Sequence, residues 1–242
     1  MPYPKAPIQE AIFDVRVDRL AIANTEELSS FHEEVKADFP TQKKRHNLTS
    51  SIKFTAEASP LTDAKADLIG YVFINADETR QIQTRIDGFT YNVVKTYEHW
   101  DKHFAEFLKL WTLYDSLFNP TIVLRIATRY INRINLPVPF TSFQDFITNI
   151  PPVPKSLPQT FNNFFMQTQT PCSDNLRHAI ITETLDQPGD RVLPFILDID
   201  VFQEQNIQKT ETSFNENFSA IRKIKNDIFE SCITEKAREL FT

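Results

Sequence analysis

Glycine is scarce in this chain, with three residues in 242, at positions 70, 88 and 189. A phosphate-cradling loop and a dinucleotide fingerprint both need closely spaced glycines so that backbone N–H groups can approach phosphate. Walker-type and Rossmann nucleotide binding are therefore excluded. Cysteine is as sparse: Cys172 and Cys232 stand alone, in no CxxC pair and at no metal-ligand spacing. Such thiols build no disulfide framework and fit a reducing compartment, so a cytoplasmic location is expected. No apolar run approaches the roughly 18 residues of a bilayer crossing, and no basic-then-apolar leader opens the sequence. Neither a membrane span nor secretion by a signal peptide is expected. Positive charge is not in excess either. The net charge of −6 argues against a protein that coats nucleic acid, because nonspecific affinity comes from neutralised phosphates.

Phenylalanine is abundant instead, with 21 residues, and the length suffices to bury a core without metal or disulfide staples. After a lead-in extended by Pro2, Pro4 and Pro7, residues 10–18 alternate. Ala11, Phe13, Val15 and Val17 mark one face of a strand, and Glu10, Asp14 and Arg16 the other. Asn24 reads as an N-cap, after which Leu28, Phe31 and Val35 recur at helical spacing until Pro40. Residues 41–66 are polar and weakly patterned. They read mainly as a surface connection with a candidate strand at 51–56 and a basic run, Lys43, Lys44, Arg45 and His46. Strands are expected at 68–75, 80–86 and 89–95, with a hairpin at Asp87-Gly88. From 98 to 118, Trp100, Phe104, Phe107, Leu108, Trp111, Tyr114 and Leu117 fall on one helical stripe, ended by Asn119-Pro120.

The second half repeats this order without clear residue-level identity. A long strand is expected at 121–136, a short helix at 142–149, then a loop rich in proline (Pro151, Pro152, Pro154, Pro158). Strands at 162–170, 177–185 and 192–202 precede a closing helix from Ser213 to about Leu240, with Phe214, Phe218, Ile221, Ile224, Ile228 and Ile233 as its apolar positions. Its basic residues Arg222, Lys223, Lys225, Lys236 and Arg238 read as a solvated outer face. The expected fold class is α+β. Two helix-grip-like halves, residues 1–119 and 120–242, each run strand, short helix, antiparallel strands and long helix, and together form one curved, mainly antiparallel sheet. A single integrated sheet with no duplication is the alternative.

The most informative segment is 121–136. A period of two places Ile122, Leu124, Ile126, Tyr130 and Ile134 on one face and Arg125, Arg129 and Arg133 on the other. Arginines four residues apart on a strand stand about 13 Å apart, a line rather than a cluster. Such a line suits an extended anion or a row of carboxylates, since the guanidinium fork binds phosphate and carboxylate alike. Carboxylates are available in Glu10 and Asp14 and in the Asp198/Asp200 pair, and Gln83 and Arg85 would extend the surface. One reading is a cross-strand charge ladder. A second is a groove in which Arg125, Arg129, Arg133, Arg85 and Gln83 bind a ligand while Asp198, Asp200 and Glu10 hold a divalent cation, and a third is a protein-binding surface. His99 and His103, at i and i+4, form a candidate two-histidine metal clip without a third ligand.

The opening Tyr3-Pro4-Lys5-Ala6-Pro7-Ile8-Gln9-Glu10-Ala11-Ile12-Phe13-Asp14, the later Tyr97-Glu98-His99-Trp100 with Phe104 and Trp111, and the element Arg129-Tyr130-Ile131-Asn132 together resemble a sporadically distributed family of uncharacterised bacterial proteins. The resemblance covers essentially the whole chain, with Ala127 standing where that family usually shows glycine. It brings no catalytic residues with it. The family's patchy occurrence near mobile elements implies a defence, immunity or toxin–antitoxin setting.

The leading expectation is a non-enzymatic cytoplasmic binding or regulatory protein that engages a protein partner and uses no cofactor. A metal-dependent enzyme or receptor for a nucleotide or polyphosphate is the second reading, and nucleic-acid binding is disfavoured by charge.

Overall fold

The computed structural model describes residues 3–55, 58–158 and 161–242, so Pro2 of the expected lead-in and Ala56 at the end of the candidate 51–56 strand lie outside the described residues. Its strands are β1 (Ile8–Val17), β2 (Thr41–Thr55), β3 (Ala58–Ile74), β4 (Arg80–Arg85), β5 (Gly88–Val94), β6 (Val123–Pro137), β7 (Phe165–Pro171), β8 (Arg177–Leu185) and β9 (Val192–Gln203). They form one nine-stranded sheet in the order β2-β3-β4-β5-β1-β6-β9-β8-β7, antiparallel at every pairing. The α-helices are α1 (Phe31–Val35), α2 (Trp100–Phe118), α3 (Glu211–Cys232) and α4 (Glu235–Arg238). The fold is α+β, with a central seam where β1 pairs β6. Outward from that seam, β5, β4 and β3 lie on one side and β9, β8 and β7 on the other. Among the described residues no helix is long and apolar enough to cross a membrane.

The alternation in β1 explains where the helices sit. Ala11, Phe13, Val15 and Val17 are almost fully buried, and the Phe13 ring lies 5.2 Å from both Trp100 and Phe107 of α2 and 6.4 Å from Phe218 of α3. Phe31 of α1 packs on Phe73 and Phe89 of the same face. Each buried ring contributes about 2 kcal/mol, so α1, α2 and α3 all gather on this side. Asn24 caps the turn Thr25–Ser30 that leads into α1, with Glu27 closing a capping box. Along α2 the buried stripe takes in Leu110, while Leu117, expected on it, is exposed.

Several expectations are corrected. Residues 41–55 and 58–66 belong to paired strands, not to a surface connection: β2 pairs β3 from Thr41↔Ile74 to Thr55↔Ala58. Residues 41–49 are exposed throughout, so no apolar alternation marks β2. β4 pairs only Gly70–Ile74 of β3, and the β2–β3 pair extends beyond the sheet as a two-stranded ribbon. The 142–149 helix shrinks to a 3-10 turn, Phe143–Asp145, because Phe146 and Ile147 turn into the core and Ile147 bridges Ile233. That bridge also ends the closing helix early: Ile233 is extended and Thr234 caps α4. Ile122 and Leu124 are about half exposed rather than core. The register with β1 runs Arg16↔Arg125 and then Val17↔Val123. Leu124 is thus the extra residue of a β-bulge, and Val123 takes the inward place. The Asp87-Gly88 hairpin forms as expected, for another reason. No glycine has positive φ, but a Cβ on Gly88 would stand 2.3 Å from the Val15 carbonyl oxygen of β1.

Candidate functional site

The sheet face opposite α1–α3 carries the arginines. Alternation in β1, β5, β6 and β9 sends Asp14, Thr90, Arg125 and Asp200 to this side, and the strand order sets them in one row. Asp14 Oδ1 accepts from Arg85 Nη2 at 3.1 Å and from Thr90 Oγ1 at 2.7 Å, while Oδ2 accepts from Arg125 Nη1 at 3.4 Å. Arg125 Nη2 donates onward to Asp200 Oδ2 at 2.9 Å, and its guanidinium lies 4.4 Å from the centre of the Phe202 ring. Arg129 grips Asp198 with two nitrogens, Nε at 2.9 Å and Nη2 at 2.5 Å. A second row runs from Arg45 to Gln83, from Gln83 to Asn92 at 3.5 Å, and from Asn92 to Glu10 at 2.6 Å. Burial raises the Asp200 carboxyl above its ordinary range in spite of Arg125.

Both rows border a concavity of about 590 Å³ lined by residues of β1 to β6 and β9. Of the expected ligand-binding set, Arg85, Gln83, Arg125 and Arg129 line it. Arg133 does not: it pairs with Asp186, away from the others. The expected metal trio does not converge. Asp198 and Glu10 both flank Ile131, on opposite sides of β6, about 10 Å apart at two strand spacings. Asp198 and Asp200 are engaged by arginines. Among the described residues no three His, Cys, Asp or Glu side chains gather at metal-binding distance. Arg45 and Asn92 complete the second row. Asn92 was readable as the polar position between Tyr91 and Val93, whereas Arg45 sits in a stretch whose strand character the sequence hides.

His99 and His103 form no metal clip. His99 Nδ1 accepts from Lys102 N as the N-cap of α2, and His103 Nε2 accepts from Glu98 N. Burial holds the pKa of His103 below the ordinary histidine value.

Two ionisable residues under the helices were missed. Lys225, expected on a solvated face, is 9% exposed. The stripe buried by α3 is Phe214, Phe218, Ile221, Lys225, Phe229 and Cys232, whose spacing of three and four includes Lys225 and could have found it. Its Nζ lies 3.9 Å from the centre of the Tyr130 ring. Burial, helped by Arg222, pushes its pKa down to about 7. Glu183 of β8 is 3% exposed, and among the described residues its Oε1 has no hydrogen-bond partner. Burial pushes its pKa up to about 7. Compared with family models and with curated proteins, the chain matches none.

Proposed function

We propose that this chain is a non-enzymatic cytoplasmic binding protein whose open sheet face engages a protein partner, in the defence-related setting that its family resemblance implies. One observation carries the reading: the concave face is uncovered by helices, and its charged side chains are already held in place by cross-strand partners. Such a surface is pre-organised, so a partner meets fixed donors and acceptors and little side-chain entropy is lost on binding. Arg129, with 48% of its side chain exposed above Asp198, is the most accessible of the three β6 arginines. The test is capture of partners from the native host with the tagged chain, beside an Arg129→Gln variant that keeps a donor for Asp198. A partner of sub-micromolar affinity that the variant loses is the expected result. Finding none, or finding capture unchanged by the variant, would reject the reading.

A second reading, a receptor for a nucleotide or polyphosphate, draws on the charge balance of the lining. Arg16, Arg45, Arg85, Arg125 and Arg129 face Asp14, Asp87 and Asp200, leaving an excess of two positive charges. Thermal stabilisation by ATP with magnesium, lost in Arg129→Gln, would favour it over a protein partner; no stabilisation would remove it. We further propose that residues 1–119 and 120–242 are two copies of one unit, which the mirrored strand order supports. Superposing β1, β3–β5 and α2 on β6–β9 and α3 tests this, and strands that fail to match in order and direction would reject it.

A further inference from the structure

A second cavity, also of about 590 Å³, opens on the helix side of the sheet beside α3. Tyr3, Tyr97, Trp100 and Phe229 give it aromatic walls, and Arg222 and Lys225 bring positive charge to it. Its size suits a small organic molecule. Three carboxylates also line it, and each is already engaged. Glu98 pairs with Lys102, Asp101 with Arg222 at 3.7 Å, and Glu230 with Arg238 at 2.8 Å and the Tyr3 hydroxyl at 2.9 Å.

Lys225 is left over. Among the described residues no oxygen accepts a hydrogen bond from its Nζ, although the residue is nine-tenths buried. Buried ammonium groups are normally paired, because an isolated charge is costly where water is excluded. Here the Tyr130 ring below offers the ammonium a weak cation–π contact, while burial and the like charge of Arg222 depress the basicity of the amine. The cavity therefore has aromatic walls, an unused donor in Lys225 and no free anion of its own.

We propose that this cavity binds a small organic monoanion, a carboxylate with an apolar body. Its carboxylate accepts from Lys225 Nζ with Arg222 close by, and its body lies against Trp100, Tyr97 and Phe229. Phosphate has no apolar body to lay against these rings, and one unpaired ammonium matches a single negative charge, which selects an apolar monoanion over phosphate or a nucleotide. This site is independent of the open face.

The test compares phenylacetate, its neutral isostere phenylacetamide and inorganic phosphate, each at millimolar concentration. Thermal stability and quenching of the two tryptophans, of which Trp100 lines the cavity, serve as readouts. Phenylacetate should bind saturably, at least about tenfold more tightly than phenylacetamide, as expected for a hydrogen bond to a charged group. Phosphate should give no response. Lys225→Met keeps the volume of the stem and removes the buried charge, and it should abolish the preference for acid over amide. Equal binding of acid and amide by the wild type, no binding of either, or a preference that survives in Lys225→Met would overturn the proposal. If the variant fails to fold, the wild-type preference decides alone.

Discussion

On the open face of the sheet Asp14 receives Arg85, Thr90 and Arg125, and Arg125 passes on to Asp200. On the helix-covered face Lys225 and Glu183 lie buried, Lys225 with an aromatic ring for company and Glu183 with its Oε1 unpartnered among the described residues. The same kind of residue is thus treated in two ways within one sheet. Where charges form cross-strand pairs, each group is stabilised by its neighbours, and removing one strands the others. Where a charge stands alone under helices, its ionised form is a cost that a neutral side chain removes. Neutralising a charge should therefore have opposite signs on the two faces.

The largest effect is expected from Asp14→Ala, which takes a carboxylate partner from both Arg85 and Arg125, whose side chains are 13% and 10% exposed, and leaves them only Asp87 and Asp200. Breaking a buried pair in this way should cost about 3 kcal/mol in urea denaturation. A loss below about 1 kcal/mol, the range of surface ion pairs, would erase the contrast between the faces. Lys225→Met should act the other way, stabilising by about 2 kcal/mol at pH 6. The pKa of Lys225 falls from 10.5 to about 7 on folding, so between those values the unfolded chain binds more protons and wild-type stability climbs with pH. The advantage of the variant should then be full below about pH 7 and fade towards pH 10.5, as paired melts across that range would show. Glu183→Gln should stabilise by about 1 kcal/mol at pH 8. Here the pKa rises from 4.5 to about 7 on folding, the folded chain binds more protons in that window, and wild-type stability declines as pH rises through it. The gain should be absent at pH 4 and complete above pH 7, and a gain of the same size at both would show that packing, not ionisation, is responsible. Arg133→Ala should be the mildest: its pair with Asp186 lies outside the concavity and is partly exposed on both sides, so the urea midpoint should not move.

How far each region could be read beforehand follows the same physics. β1 and β8 announce themselves, because one face of each is buried and the alternation shows it: Phe13 and Val15 in β1, Ala179 and Leu185 in β8. β2 does not, since residues 41–49 touch water on both faces and are held by backbone pairing to β3. The arginines of β6 were legible as a row, but their partners depend on strand order and register, as when Arg129 faces Asp200 across the ladder yet grips Asp198. Lys225 escaped because lysine on a helix is usually solvated, and only tracing the stripe from Phe218 and Ile221 to Phe229 shows that it lies inside.

The bulge at Leu124 bears on how tolerant β6 is to changes in length. Because Leu124 is supernumerary in the pairing with β1, a chain lacking it would join Val123 directly to Arg125 across a regular pleat, one pointing in and the other out, and both flanks would keep their faces. Loss of a residue from the evenly paired run, Thr128 for instance, would instead turn one flank over, since side chains alternate with a period of two. Sequences that vary in length along this strand should therefore vary at Leu124, with Arg125 still on the open side.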